Sequence, residues 1–179
     1  MEDKLTITDA LKKIKLNEKI VTQNNVLLVR MTAEFDDGRF STVDDQKRAI
    51  KSLVQENTDR LKYNSRLKAQ IAYTNMNTRV NLTTDLFGQS NMTITEMLYY
   101  KDKGKGCDLM IATFNCLNNY SPPNKYAMLN NNTVEPKRHV FFDEKERLDK
   151  LRKWQEIQSN LDGRLETINA TTYLLDLPE

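Results

Sequence analysis

The stretch VDDQKRAIKSLVQENTDRLKYNSRLKAQIAYTNM, residues 43–76, decides the fold. Its Ile50, Leu53, Val54, Leu61, Leu67 and Ile71 follow, with Asn57 and Asn64 between them, the three- and four-residue spacing that lays one stripe along a helix. Thr42 followed by Asp45 is a Thr-x-x-acid helix start, in which the hydroxyl accepts from a free amide of the first turn. A helix over these residues is roughly 50 Å long at 1.5 Å per residue, more than a short hairpin can cover. Its stripe therefore calls for a second long partner. Asn57 and Asn64 fall on the same seam. Two roles are open to them: paired inside the seam, where an amide fixes register and partner number, or solvated at its edge.

Working outward, the segments TITDALKKIKLNEK from Thr6 and TITEMLYYKDKGKG from Thr93 open alike. Thr6 with Asp9 and Thr93 with Glu96 are both capping signals, and Leu5 and Met92 precede them as staples. The first helix is expected to end near Thr22. The second is expected over 93–118, with a bend where Gly104 and Gly106 each weaken it by about 1 kcal/mol.

Between the first helix and the long one, NVLLVRMTAEFDDGRFST, from Asn25, joins a β-branched run to an Asp37-Gly38 turn, which predicts strands at 26–35 and 39–42. The second half offers KYAML and KRHVFF as a longer hairpin, then Asp143 with Glu146 as the start of a last long helix. Leu67, Ile71, Asn75 and Thr78 match Leu161, Leu165, Asn169 and Thr172 at an offset of 94, whereas the helix starts are offset by 87. The expected fold is α+β and mostly helical, a single domain over 1–179 with an internal repeat, 1–80 and 88–174. Each repeat is a short helix, a β-hairpin and a long helix, and the long helices pack together.

Composition narrows the function. Lys plus Arg number 27 against 25 Asp plus Glu, so no global field favours nucleic acid. The N-terminus lacks a charged region followed by an apolar run, and no stretch reaches the ~18 apolar residues of a span; a cytoplasmic protein without a membrane partner is expected. Richness in Asn, Lys and Thr suits an AT-rich coding genome, such as that of a phage, which would place the protein in the host cytoplasm.

His139 is the only histidine, Cys107 and Cys116 fit neither a redox pair nor a zinc knuckle, and the five glycines form no phosphate loop. The acidic pairs Asp36-Asp37, Asp44-Asp45 and Asp143-Glu144 lie at a turn or at helix starts, where carboxylates complement the dipole. No enzyme activity, no cofactor and no metal are expected.

Arg30, Arg39, Lys137, Arg138 and His139 gather at the two expected hairpins, and arginine forks suit phosphate. With Arg164 on the last helix, and Asn75, Thr78, Asn169 and Thr172 at the helix ends to meet base or ribose edges, they predict a homo-oligomer that captures a small anionic, nucleotide-like ligand. Sequestration of a host signalling nucleotide is one such use. The alternative is a structural or interaction module, a helical assembly in which the basic residues only solvate strand edges.

The closing segment RLETINATTYLLDL resembles that of the septicolysin-like proteins, small and poorly characterised bacterial and phage proteins. The pattern falls on Arg164, Leu165, Asn169, Thr171 and Thr172; Thr74, Asn75 and Thr78, and then Glu96, Leu98, Lys101 and Asp102, are similar to its middle. The resemblance implies no catalytic signature. Gln70 stands where the family usually has arginine, and Gly104 and Gly106 stand where it has helical residues.

Overall fold

A computed structural model describes residues 4–32, 40, 42–81, 91–117 and 143–178. Among the described residues five helices dominate: α1 (Ile7–Met31), α2 (Val43–Asn77), α3 (Ile94–Lys101), α4 (Gly106–Cys116) and α5 (Glu144–Thr171). A two-stranded antiparallel sheet, β1 (Arg79–Asn81) with β2 (Asn91–Thr93), pairs Val80 with Met92. The protein is therefore α+β and mostly helical. The chain divides into two compact units, Met1–Thr78 with Glu166–Glu179, and Arg79–Leu165.

The first unit is built on α1 and α2. Thr6 caps α1 by accepting from the Asp9 amide at 3.1 Å, and Thr42 caps α2 by accepting from the Asp45 amide at 3.1 Å. The helices run antiparallel: Asn17 faces Asn64, and Asn24 faces Asn57 seven residues on. Near Thr6 they enclose an apolar core of Ala10, Ile14 and Leu67, with Leu5, Ile71 and Leu174 packed against it. The chain after α5 closes this end. The Ile7 amide donates to the Thr172 carbonyl at 3.0 Å, Leu174 to Leu5 at 2.8 Å, and the Leu175 amide to Thr74 Oγ1 at 2.9 Å.

Three expectations are corrected here. α1 does not end at Thr22 but continues to Met31, so residues 26–31 are helix and not strand. Val21, Asn24, Leu28 and Met31 carry the three-four spacing onward, and the Asn24–Asn57 pair anchors it, so tertiary packing overrides the β propensity of VLLVRM. Val54 and Leu61, read into the packed stripe, are 50% and 51% exposed. Asn57 and Asn64, by contrast, are buried in the interface and not at its wet edge. The Asp37-Gly38 turn and the KYAML and KRHVFF strands lie outside the described residues.

In the second unit Thr93 forms a reciprocal capping box with Glu96, and α3 then stops at Lys101, where one helix was expected to run on. The cause is local. Gly104 and Gly106 take positive φ, and a Cβ on Gly106 would lie 2.3 Å from Tyr100 Cα, so α4 starts afresh hard against α3. Ile94, Met97, Cys107, Ile157, Leu161 and Leu165 are buried. Tyr100 stacks on Trp154 with ring centroids 6.3 Å apart. The buried Arg147 donates to the Phe114 carbonyl at the end of α4, 2.9 Å away, and to Glu144.

Candidate functional site

The expected basic cluster does not assemble among the described residues. Arg30 sits exposed in the last turn of α1, on a helix rather than a hairpin edge, while Arg39, Lys137, Arg138 and His139 lie outside the described residues. Arg164 is exposed on α5. The helix-end residues belong to the first unit, and there the threonines serve the backbone: the Thr78 amide closes α2 on the Thr74 carbonyl at 2.8 Å, and the Thr172 amide closes α5 on Ile168 at 2.8 Å. Asn169 is half-buried. Asn75 is the exception: its Oδ1 is shut away from solvent and accepts no hydrogen bond.

What the fold does gather is a polar ladder down the middle of the α1–α2 interface. Asn17 Nδ2 donates to Asn64 Oδ1 at 2.8 Å, Asn64 Nδ2 to the Ile14 carbonyl at 3.3 Å, and Arg60 to Asn17 Oδ1 at 2.8 Å. One layer on, Asn24 Nδ2 donates to Asn57 Oδ1 at 2.9 Å and Asn57 Nδ2 to Asn25 Oδ1 at 3.2 Å. Arg60 is held in place by Glu56 through Nε and a terminal nitrogen, at 2.9 and 2.8 Å. A buried amide costs about 1–3 kcal/mol when unpaired, and these are paired with one another, so sliding one helix along the other would break several bonds at once. The sequence signal was the seven-residue spacing of Asn57 and Asn64. The same spacing of Asn17 and Asn24 on α1 passed unnoticed because α1 was expected to stop short of Asn24.

Beside the ladder lies a shallow groove of about 410 Å³, lined by Lys13, Leu16, Asn17, Asp59, Arg60 and Tyr63. A second groove, about 280 Å³, is lined by charged side chains of the start of α5, among them Asp143, Lys145 and Asp149. Burial around the ladder is inverted. Within residues 18–31 and 43–63 the buried side chains are the amides Asn24 and Asn57, whereas Val26, Leu27, Val29, Val54 and Leu61 are exposed, Val29 to 75%.

Among the described residues the shifted carboxylates serve the fold. Asp9, Glu96, Asp108 and Glu144 are all held below the usual carboxylate range by accepted hydrogen bonds: from the Thr6 hydroxyl, from Thr93, from the Gly104 amide and then Gln158, and from Arg147. A general acid needs the opposite shift. Burial, and then Asp108, push the Cys107 thiol up, away from the thiolate a nucleophile requires. Among the described residues no group of three or more His, Cys, Asp or Glu could hold a metal ion, and no helix is long and apolar enough to cross a membrane. No protein-family model, curated protein or solved structure matches the chain.

Proposed function

We propose that this protein is a non-catalytic interaction module that works by helical assembly, with the α1–α2 hairpin as its assembling element. The inverted burial carries the reading: the hairpin fixes its own register with paired amides and leaves aliphatic side chains uncovered at the same height. A helix apolar on several sides is one that another surface covers. The likeness of the chain's middle and end to the septicolysin-like proteins belongs to this reading as well, as a family of small proteins without a catalytic signature.

The two units are, on this reading, copies of one helix-based ancestor. In support, Thr6 bridges Tyr173 in the first unit and Thr93 pairs with Arg79 in the second. The two threonines are 87 apart and their partners 94 apart, the same offsets that relate the helix starts and the helix ends. The α1–α2 amide pair also has a counterpart in the link from Gln158 on α5 to Asp108 on α4.

One observation favours the second reading, capture of a small nucleotide-like ligand. The unpartnered Oδ1 of Asn75 is an acceptor without a donor, which a base amino group or a ribose hydroxyl would supply. Native mass spectrometry of the freshly purified full chain, set against its denatured mass, separates the two. An oligomer with no added mass supports assembly alone; an oligomer carrying a small non-covalent mass supports capture; a bare monomer at all concentrations overturns both.

A further inference from the structure

We infer that the partner of the hairpin is a second copy of this chain, packed through the flank of α1 and α2 that carries Leu16, Ile20, Leu27 and Tyr63. The inference rests on the assembly reading and names its surface. Leu16 is 56% exposed, Leu27 44% and Tyr63 41%, and Ile20 and Leu27 stand seven residues apart, the repeat with which a helix meets another helix along its length. The groove between Leu16 and Tyr63 opens on this flank, so both helices supply apolar surface to it. The Asn ladder is satisfied inside the hairpin and so makes no demand on the partner. The hairpin docks as a preformed body.

Charge selects a copy of the same chain as the occupant. On this flank α1 carries Lys13, and α2 carries Asp59 together with Arg60, whose charge is already met by Glu56. Lys13 and Asp59 both line the groove; Lys13 acts on Asp9 one turn away on α1 and Asp59 accepts from Gln55, and among the described residues neither closes an ion pair across the groove. α1 and α2 are antiparallel, so a two-fold axis through the groove and perpendicular to the helices brings Lys13 of each copy level with Asp59 of the other. One surface thereby supplies both signs of the contact. A closed pair of hairpins on this axis is a four-helix bundle, the arrangement that covers such a stripe most economically.

Sedimentation equilibrium of the full chain tests this. The wild type is expected to dimerise, and Leu16→Asp with Leu27→Asp to be monomeric with unchanged far-UV helicity, since both residues are exposed. Val54→Asp with Leu61→Asp, on the other flank, leaves the dimer in place. Lys13→Glu raises the dissociation constant roughly tenfold, because symmetry doubles each rim pair, and adding Asp59→Lys restores most of the loss. A wild-type monomer at every concentration overturns this face together with the assembly reading. An assembly dissolved by Val54→Asp with Leu61→Asp but untouched by Leu16→Asp with Leu27→Asp overturns this face and leaves assembly standing. Failure of Asp59→Lys to rescue Lys13→Glu overturns the two-fold arrangement.

Discussion

The two ends of the α1–α2 hairpin solve the same problem in opposite ways. Near Thr6 the helices bury Ile7, Ala10, Ile14 and Leu67 and are closed over by the segment after α5. Toward Met31 they bury amides and expose aliphatics. One end is complete within the chain, and its stability comes from apolar burial, about 25 cal/mol per Å² removed from water. The other end has direction without closure: paired amides choose the register strongly while contributing little net stability. The difference teaches that burial of a seam residue says nothing by itself about how a helix pair is held.

The comparison can be broken most forcefully at the closed end. Leu67→Ala should cost about 3 kcal/mol, the ordinary cost of the cavity left by truncating a buried leucine to alanine, read as lost hydrogen-exchange protection in α1 and α2 peptides. Leu28→Ala, at the half-buried open end, should cost less than half of that; equal costs would mean the two ends are alike. The ladder comes next. Asn64→Ala strands the buried Nδ2 of Asn17 and should cost about 2 kcal/mol, whereas replacing both Asn17 and Asn64 by leucine should be near neutral in urea unfolding and should loosen register instead. A double variant as damaged as the single one would show that the amides stabilise outright.

Thr74→Val is expected to cost about 1 kcal/mol, because the Leu175 amide loses its acceptor, and the exchange of the Tyr173–Leu177 segment should quicken without change in the ladder. The smallest effect sharpens the contrast between units. Glu96, Asp108 and Glu144 of the second unit have lowered folded-state values, so their contribution is present above the unfolded values, 4.5 for Glu and 3.8 for Asp, and is lost as pH falls through the lower folded ones. In the first unit the lowered carboxylate is Asp9 at the start of α1, whereas the Asn17–Asn64 and Asn24–Asn57 pairs are amides. Below about pH 4 the fluorescence of Trp154 should report loosening of the second unit before exchange in the ladder rises; simultaneous loss would join the two units in one transition.

Helix starts were legible in the sequence because a cap is a local device: Thr6, Thr42 and Thr93 each need only an acid three residues on. The bounds of α2 were legible for the same reason; at Gly104 and Gly106 a bend was legible, but not the full break into α3 and α4. The run from Val26 to Met31 was not, because a β-branched sequence packs as readily on a helix as in a strand, and the element facing it decides. Of the candidate site, Asn57 and Asn64 stood out by spacing, but their partners did not. Of the basic set, Arg30 lies on α1 and not at a hairpin edge, and Arg39, Lys137, Arg138 and His139 lie outside the described residues.

By itself, then, the sequence determined where helices begin, that α2 is long, and that its seam carries two amides seven residues apart, since each of these is set within a turn or two of chain. Only the tertiary structure decided that α1 would extend to meet Asn57 with Asn24, and which aliphatics would be left uncovered. Pairing across more than thirty residues of intervening chain depends on which surfaces meet, and local propensity cannot choose among them.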